Sequence, residues 1–128
     1  VTKALTRQTF RNNDLTANYA GVFRETTSGC GNPANNGTVE SVVGVSITNS
    51  ATALTMTTNE NGFICNWSGN YRQAGRMGSS TGTYTCGALV GTYDMAEIEA
   101  NPSGITGRYV GQDNSCSQVS GRFALVTR

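Results

Sequence analysis

Cys65-Asn66-Trp67-Ser68-Gly69-Asn70-Tyr71 and Thr81-Gly82-Thr83-Tyr84-Thr85-Cys86 flank the turn dipeptide Gly75-Arg76, and these two segments decide the fold. In both, large apolar residues alternate with Thr, Ser and Asn, the two-residue period of a half-buried strand. A type II′ turn at Gly75-Arg76 pairs Ala74 with Met77 and therefore Trp67 with Tyr84. The same register sets Cys65 opposite Cys86 and predicts a cross-strand disulfide, leaving Cys30 to pair with Cys116.

Further alternating runs extend outward from this hairpin. Eight strands are predicted, at 19–27, 39–49, 53–59, 63–73, 80–86, 90–100, 105–112 and 119–127. Their short connections favour an up-and-down antiparallel meander, and eight strands close into a β-barrel that leaves no exposed edge. A two-sheet sandwich is the alternative. Closure brings the first strand beside the last, which suits Cys30 at the end of one and Cys116 at the start of the other. Asn61-Gly62 suits a type I′ turn, pairing Thr58 with Cys65. A two-residue loop at Ser50-Ala51 pairs Ile47 with Leu54 and Val45 with Met56. Val45, Met56, Trp67 and Tyr84 then form one apolar row.

The unit [Ser/Thr]-Gly-x-[Tyr/Phe] recurs at Ser68–Tyr71, Thr81–Tyr84, Thr106–Tyr109 and Ser120–Phe123, with Val90–Tyr93 a near match. Glycine and aromatic share a face, so the strand coils tightly and a neighbouring ring covers the gap.

Composition agrees. Of 128 residues, 18 are Thr, 11 Ser and 13 Asn, against one Lys and five Glu, which excludes a helical bundle. The net charge is +1 and His is absent, so the chain lacks the commonest general base and metal ligand. No catalytic residue, metal or cofactor is expected. Eight Arg are scattered along the chain, giving no nucleic-acid footprint. No run is long and apolar enough for a membrane helix, and several predicted strands fall short of the roughly nine to eleven residues that span a bilayer. Four Cys without a CxxC pair, in a chain beginning at Val1 with no leader, read as a mature secreted protein, extracellular or at a cell surface. Asn36-Gly37-Thr38 and Asn66-Trp67-Ser68 match the N-glycosylation pattern, which an Asn- and Thr-rich chain meets by chance.

The run Tyr71–Gly78, followed by Thr81–Cys86, Met95–Glu99, Ile105–Tyr109, Cys116 and Ser120–Phe123, resembles a β-rich C-terminal module of uncharacterised secreted bacterial proteins. The resemblance covers residues 63–128 and carries no activity or functional residue across. Trp67–Arg72 and Thr106–Tyr109 also resemble the barrel grammar of streptavidin, without its strand order or its biotin-contacting set.

Three candidate sites follow. Residues 1–18 form an N-terminal arm ahead of the barrel at 19–128, with Val1, Leu5, Phe10 and Leu15 as scattered apolar anchors. Such an arm docks on its own barrel or on a neighbouring subunit. The leading expectation is therefore a non-catalytic extracellular structural protein that self-associates into an oligomer or filament. The alternative is a secreted barrel binding a small ligand or glycan, lined by Trp67, Tyr71, Tyr84, Tyr93 and Tyr109. Glu97 and Glu99 share a strand face; paired about the 101–104 turn they fall opposite Arg108 and Thr106 and read as an exterior charge ladder rather than a glycosidase pair.

Overall fold

The computed structural model describes residues 15–128. Val1, Leu5 and Phe10 lie outside the described residues. The strands are β1 (Ala17–Cys30), β2 (Gly37–Asn49), β3 (Ala53–Glu60), β4 (Phe63–Asn70), β5 (Arg72–Ala74), β6 (Met77–Cys86), β7 (Leu89–Asn101), β8 (Gly104–Asp113) and β9 (Cys116–Thr127). A short 3-10 turn, Pro33–Asn35, sits between β1 and β2. Every pairing is antiparallel. Because β1 pairs with β9 and β4 with β6, the sheet closes into the expected eight-stranded up-and-down barrel. The three-residue β5 pairs only with β6 and lies outside the ring.

Alternation puts the apolar side chains inside. The core gathers Tyr19, Phe23, Ile47, Met56, Trp67, Tyr84, Tyr93, Tyr109 and Phe123 with their aliphatic neighbours. The glycine–aromatic units explain how so many rings fit. Phe123 pairs with Gly107, and Tyr109 with Gly121, each ring lying where the glycine's missing Cβ would be. Tyr84 covers Gly91 in the same way, and Tyr71 covers Gly78. Ring and gap alternate around the barrel, so the rings interleave rather than collide.

The hairpin registers at Asn61-Gly62 and Gly75-Arg76 are as expected, with Thr58 opposite Cys65 and Trp67 opposite Tyr84. The β2–β3 register is not. Asn49 faces Leu54 and Ile47 faces Met56, two residues away from the expected pairing, so the row is Ile47, Met56, Trp67 and Tyr84. The cause is the loop. Ser50 Oγ accepts from the backbone N–H groups of Thr52 and Ala53, and Ser50 N–H donates to the Ala53 carbonyl, closing a longer turn than Ser50-Ala51 alone. A two-residue shift preserves which face each side chain takes, whereas a one-residue shift would have inverted it. The predicted strand 63–73 also breaks at Tyr71, whose N–H leaves the ladder to bond the Thr52 carbonyl.

Both predicted disulfides are present, Cys30–Cys116 and Cys65–Cys86. They lock β1 to β9 and β4 to β6 at the same end of the barrel; the first staples the closing contact between the first and last strands, the second the far end of the hairpin that turns at Gly75-Arg76.

Candidate functional site

All five aromatic candidates are buried, with Trp67 the least so at 6% exposed. Trp67 stacks on Tyr84 with centroids 4.7 Å apart and meets Tyr93 and Tyr109 edge-on at 5.3 and 5.4 Å. Trp67, Tyr84, Tyr93 and Tyr109, which would have to line a ligand, instead line one another. Leu15, the one arm anchor among the described residues, is 2% exposed, and its carbonyl accepts a 2.8 Å hydrogen bond from the Tyr19 hydroxyl.

Near the disulfide end, two carboxylates meet these rings. The Tyr109 hydroxyl donates to Glu25 at 2.5 Å and the Tyr84 hydroxyl to Asp113 at 2.6 Å. Burial pushes the Glu25 carboxyl above its ordinary 4.5; the Tyr109 hydroxyl opposes this, and Asp113 and Glu60 add to it. Burial and the adjacent carboxylates also hold both phenols protonated well above their ordinary range. The folded chain thus binds the Glu25 proton more tightly than the unfolded chain does. Its contribution to stability is fully present below pH 4.5 and is lost as pH rises through the folded value. Glu25→Gln is expected to remove that loss, so the variant's urea midpoint gains on the parent's between pH 4.5 and neutrality. A difference that stays flat over this range counts against it.

The outer wall carries the other charged residues. One extra residue in β7 between Met95 and Ile98 makes a β-bulge, out of register with both β6 and β8. Within it Glu97 takes a left-handed backbone, φ 53°, uncommon for a residue with a side chain. The bulge aims Glu97 at Arg108, and the two form an ion pair whose guanidinium holds the carboxyl below its ordinary range. Glu99 faces Thr106 as expected and lies 3.8 Å from Arg76. The exterior ladder read from the sequence is present with one shift: Ala96, not Glu97, stands opposite Arg108, and the bulge turns Glu97 back to it.

That reading missed what lies next to it. Arg24 of β1 pairs with Arg122 of β9, and Arg122 pairs with Arg108 of β8, so three guanidiniums stand in one row on three adjacent strands. Glu40, opposite Arg24 on β2, ends the row on one side, and Glu97 ends it on the other. Among the described residues, no ion pair joins Arg24 or Arg122 to a carboxylate. The row crosses an open groove of about 400 Å³, with Met77 and Glu99 at one side, Val22 at the other, and Thr106 and Ala124 between. Arg108 and Arg122 face each other across the β8–β9 hairpin, and the β1–β9 closure adds Arg24, which is remote in sequence. The available signal was register: pairing the first strand with the last would have aligned Arg24 with Arg122.

Compared with known proteins, the chain matches no family model, no curated protein and no solved structure.

Proposed function

We propose that the chain is a secreted, non-catalytic binding barrel whose working surface is the outer-wall groove, and that its ligand carries an oxyanion. One observation carries this reading: three arginines share a cross-strand row with only two carboxylates, Glu40 opposite Arg24 and Glu97 on Arg108, at its ends, and neither Arg24 nor Arg122 forms an ion pair among the described residues. Like charges directly opposite one another destabilise a sheet, the two carboxylates at the ends do not balance three guanidiniums, and a broken local rule is characteristic of functional sites. Planar guanidiniums bind carboxylate, sulfate or phosphate through paired N–H donors. Glu97, whose carboxyl Arg108 holds below its ordinary range, is a poor proton donor. Two disulfides suit an oxidising, extracellular setting.

The direct test is titration with sodium sulfate followed by backbone amide shifts, expected at Arg24, Arg108 and Arg122 and abolished in Arg122→Gln. Shifts elsewhere only, or none, reject the reading. Arg122→Gln should also stabilise the ligand-free chain by roughly 0.5 kcal/mol at low ionic strength through relief of like-charge repulsion. That gain should vanish at about 1 M salt, where screening acts within a few ångströms. Destabilisation at every salt concentration would instead mean that Arg122 is part of the scaffold.

Self-association into a structural assembly through the arm is the second reading. Val42, Val126 and Val22 on the same wall favour it, at 76%, 60% and 43% exposed. Sedimentation velocity of the chain and of a variant lacking residues 1–14 tests it. A monomer at every concentration in both cases would reject it.

A further inference from the structure

Resting on the binding reading, we infer that the groove's ligand is an acidic polysaccharide lying across the strands, its successive acid groups meeting Arg24, Arg122 and Arg108. The outer wall is layered in register. The arginine row lies between two others that run parallel to it. On one side stand the hydroxyls of Thr38, Thr26 and Ser120 on β2, β1 and β9, paired strand to strand, with Val110 opposite Ser120 on β8. On the other side stand the aliphatic groups of Val42, Val22 and Ala124 on the same three strands, with Thr106 opposite Ala124 on β8. A uronic or sulfated pyranose presents the same three chemistries: hydroxyl edges, an acid group and an apolar C–H face. Neighbouring strands lie about 4.8 Å apart, so the three guanidiniums span roughly 10 Å, more than one small anion occupies.

Other occupants fit less well. Carboxylates close both ends of the row and the chain's net charge is only +1, so a densely phosphorylated strand meets repulsion on either side. An extended peptide has no open strand edge here to pair with, because the barrel is closed. A second copy docked face to face sets arginine against arginine, since the row is positive at its centre and negative only at its ends.

The experiment uses the full oxidised chain and measures binding of galacturonate oligomers of one to six units and of heparin oligosaccharides, with dextran as the neutral control. Inorganic sulfate, poly-L-glutamate and single-stranded DNA serve as competing probes. Affinity is expected to climb at least tenfold from monomer to trimer, as successive sites are engaged, and then to level off. The two acid series show whether carboxylate or sulfate is preferred. Arg122→Gln and Arg24→Gln should each weaken trimer binding at least tenfold and lower the salt slope by about one. Arg72→Gln, on β5 outside the groove, should change nothing. Two variants on different strands keep the test valid if one fails to fold. If sulfate binds through Arg122 but oligomers bind no tighter than the monomer, the groove is a small-anion site and this inference falls alone. If no anion binds through Arg122, it falls together with the proposed function. Tighter binding of poly-L-glutamate or DNA than of either glycan also overturns it.

Discussion

Replacing Cys30 and Cys116 together by serine is expected to lower stability by about 4.6 kcal/mol, the chain-entropy value for the loop they close. The two cysteines stand 86 positions apart, so their bond removes much of the freedom of the unfolded chain. Loss of Cys65–Cys86, 21 positions apart, is expected to subtract a further 3.3 kcal/mol or so. Together these approach the whole stability of an ordinary domain, roughly 5–15 kcal/mol. The effect is also local: Cys30–Cys116 staples the closing β1–β9 contact, which no hairpin supports, and Cys65–Cys86 staples β4 to β6 beyond the break at Tyr71, so their loss lets the ring open at β1–β9 or β4–β6. Urea titration of the parent and of both Cys→Ser pairs, followed by circular dichroism, measures this. Unchanged midpoints would show that the β-ladders hold these contacts unaided.

Gly82→Ala is expected to be nearly as damaging, at about 3 kcal/mol, the upper end of overpacking losses. Gly82 faces Gly69 where β4 and β6 close the barrel. A Cβ at Gly82 would lie 2.1 Å from the Ser68 carbonyl oxygen and 2.6 Å from the Gly69 Cα. Both are backbone atoms, so no side chain can rotate away, and the strands themselves must separate. Gly31→Ala is the control: nothing lies within 4 Å of its added Cβ, and a change within about 0.5 kcal/mol is expected. Thermal melts of the two variants decide the matter. Equal midpoints would mean that this strand contact tolerates a methyl group.

Local pattern sufficed for much of this molecule. A two-residue period is a statement about one strand at a time, so eight runs could be placed and their inner faces assigned without knowing where any strand goes. Turn chemistry at Asn61-Gly62 and Gly75-Arg76 extended that to pairs of strands, and the opposition of Cys65 to Cys86 followed. Where the turn was set by a side chain, at Ser50, the register could not be read, because a serine hydroxyl that accepts two backbone N–H groups lengthens the loop without any glycine to mark it. The Tyr71 break is similar, since the Thr52 carbonyl that draws its N–H out of the ladder belongs to a different loop.

The sequence by itself determined the fold class, the inner face of each strand and the Cys65–Cys86 bridge, because alternation and tight turns are short-range and their energetics are complete within a few residues; Cys30–Cys116 then followed by elimination. Only the tertiary structure decided the outer wall. The β8–β9 hairpin pairs Arg108 with Arg122, but only closing the ring through β1 and β9 brings Arg24 into the same row, and a single extra residue in β7 turns Glu97 to meet its end. The inward residues declare their place by being apolar, since burial acts on each of them alone. An outward charge takes its meaning from its neighbours across the strands, and Arg24 and Arg122 become neighbours only once the barrel has closed.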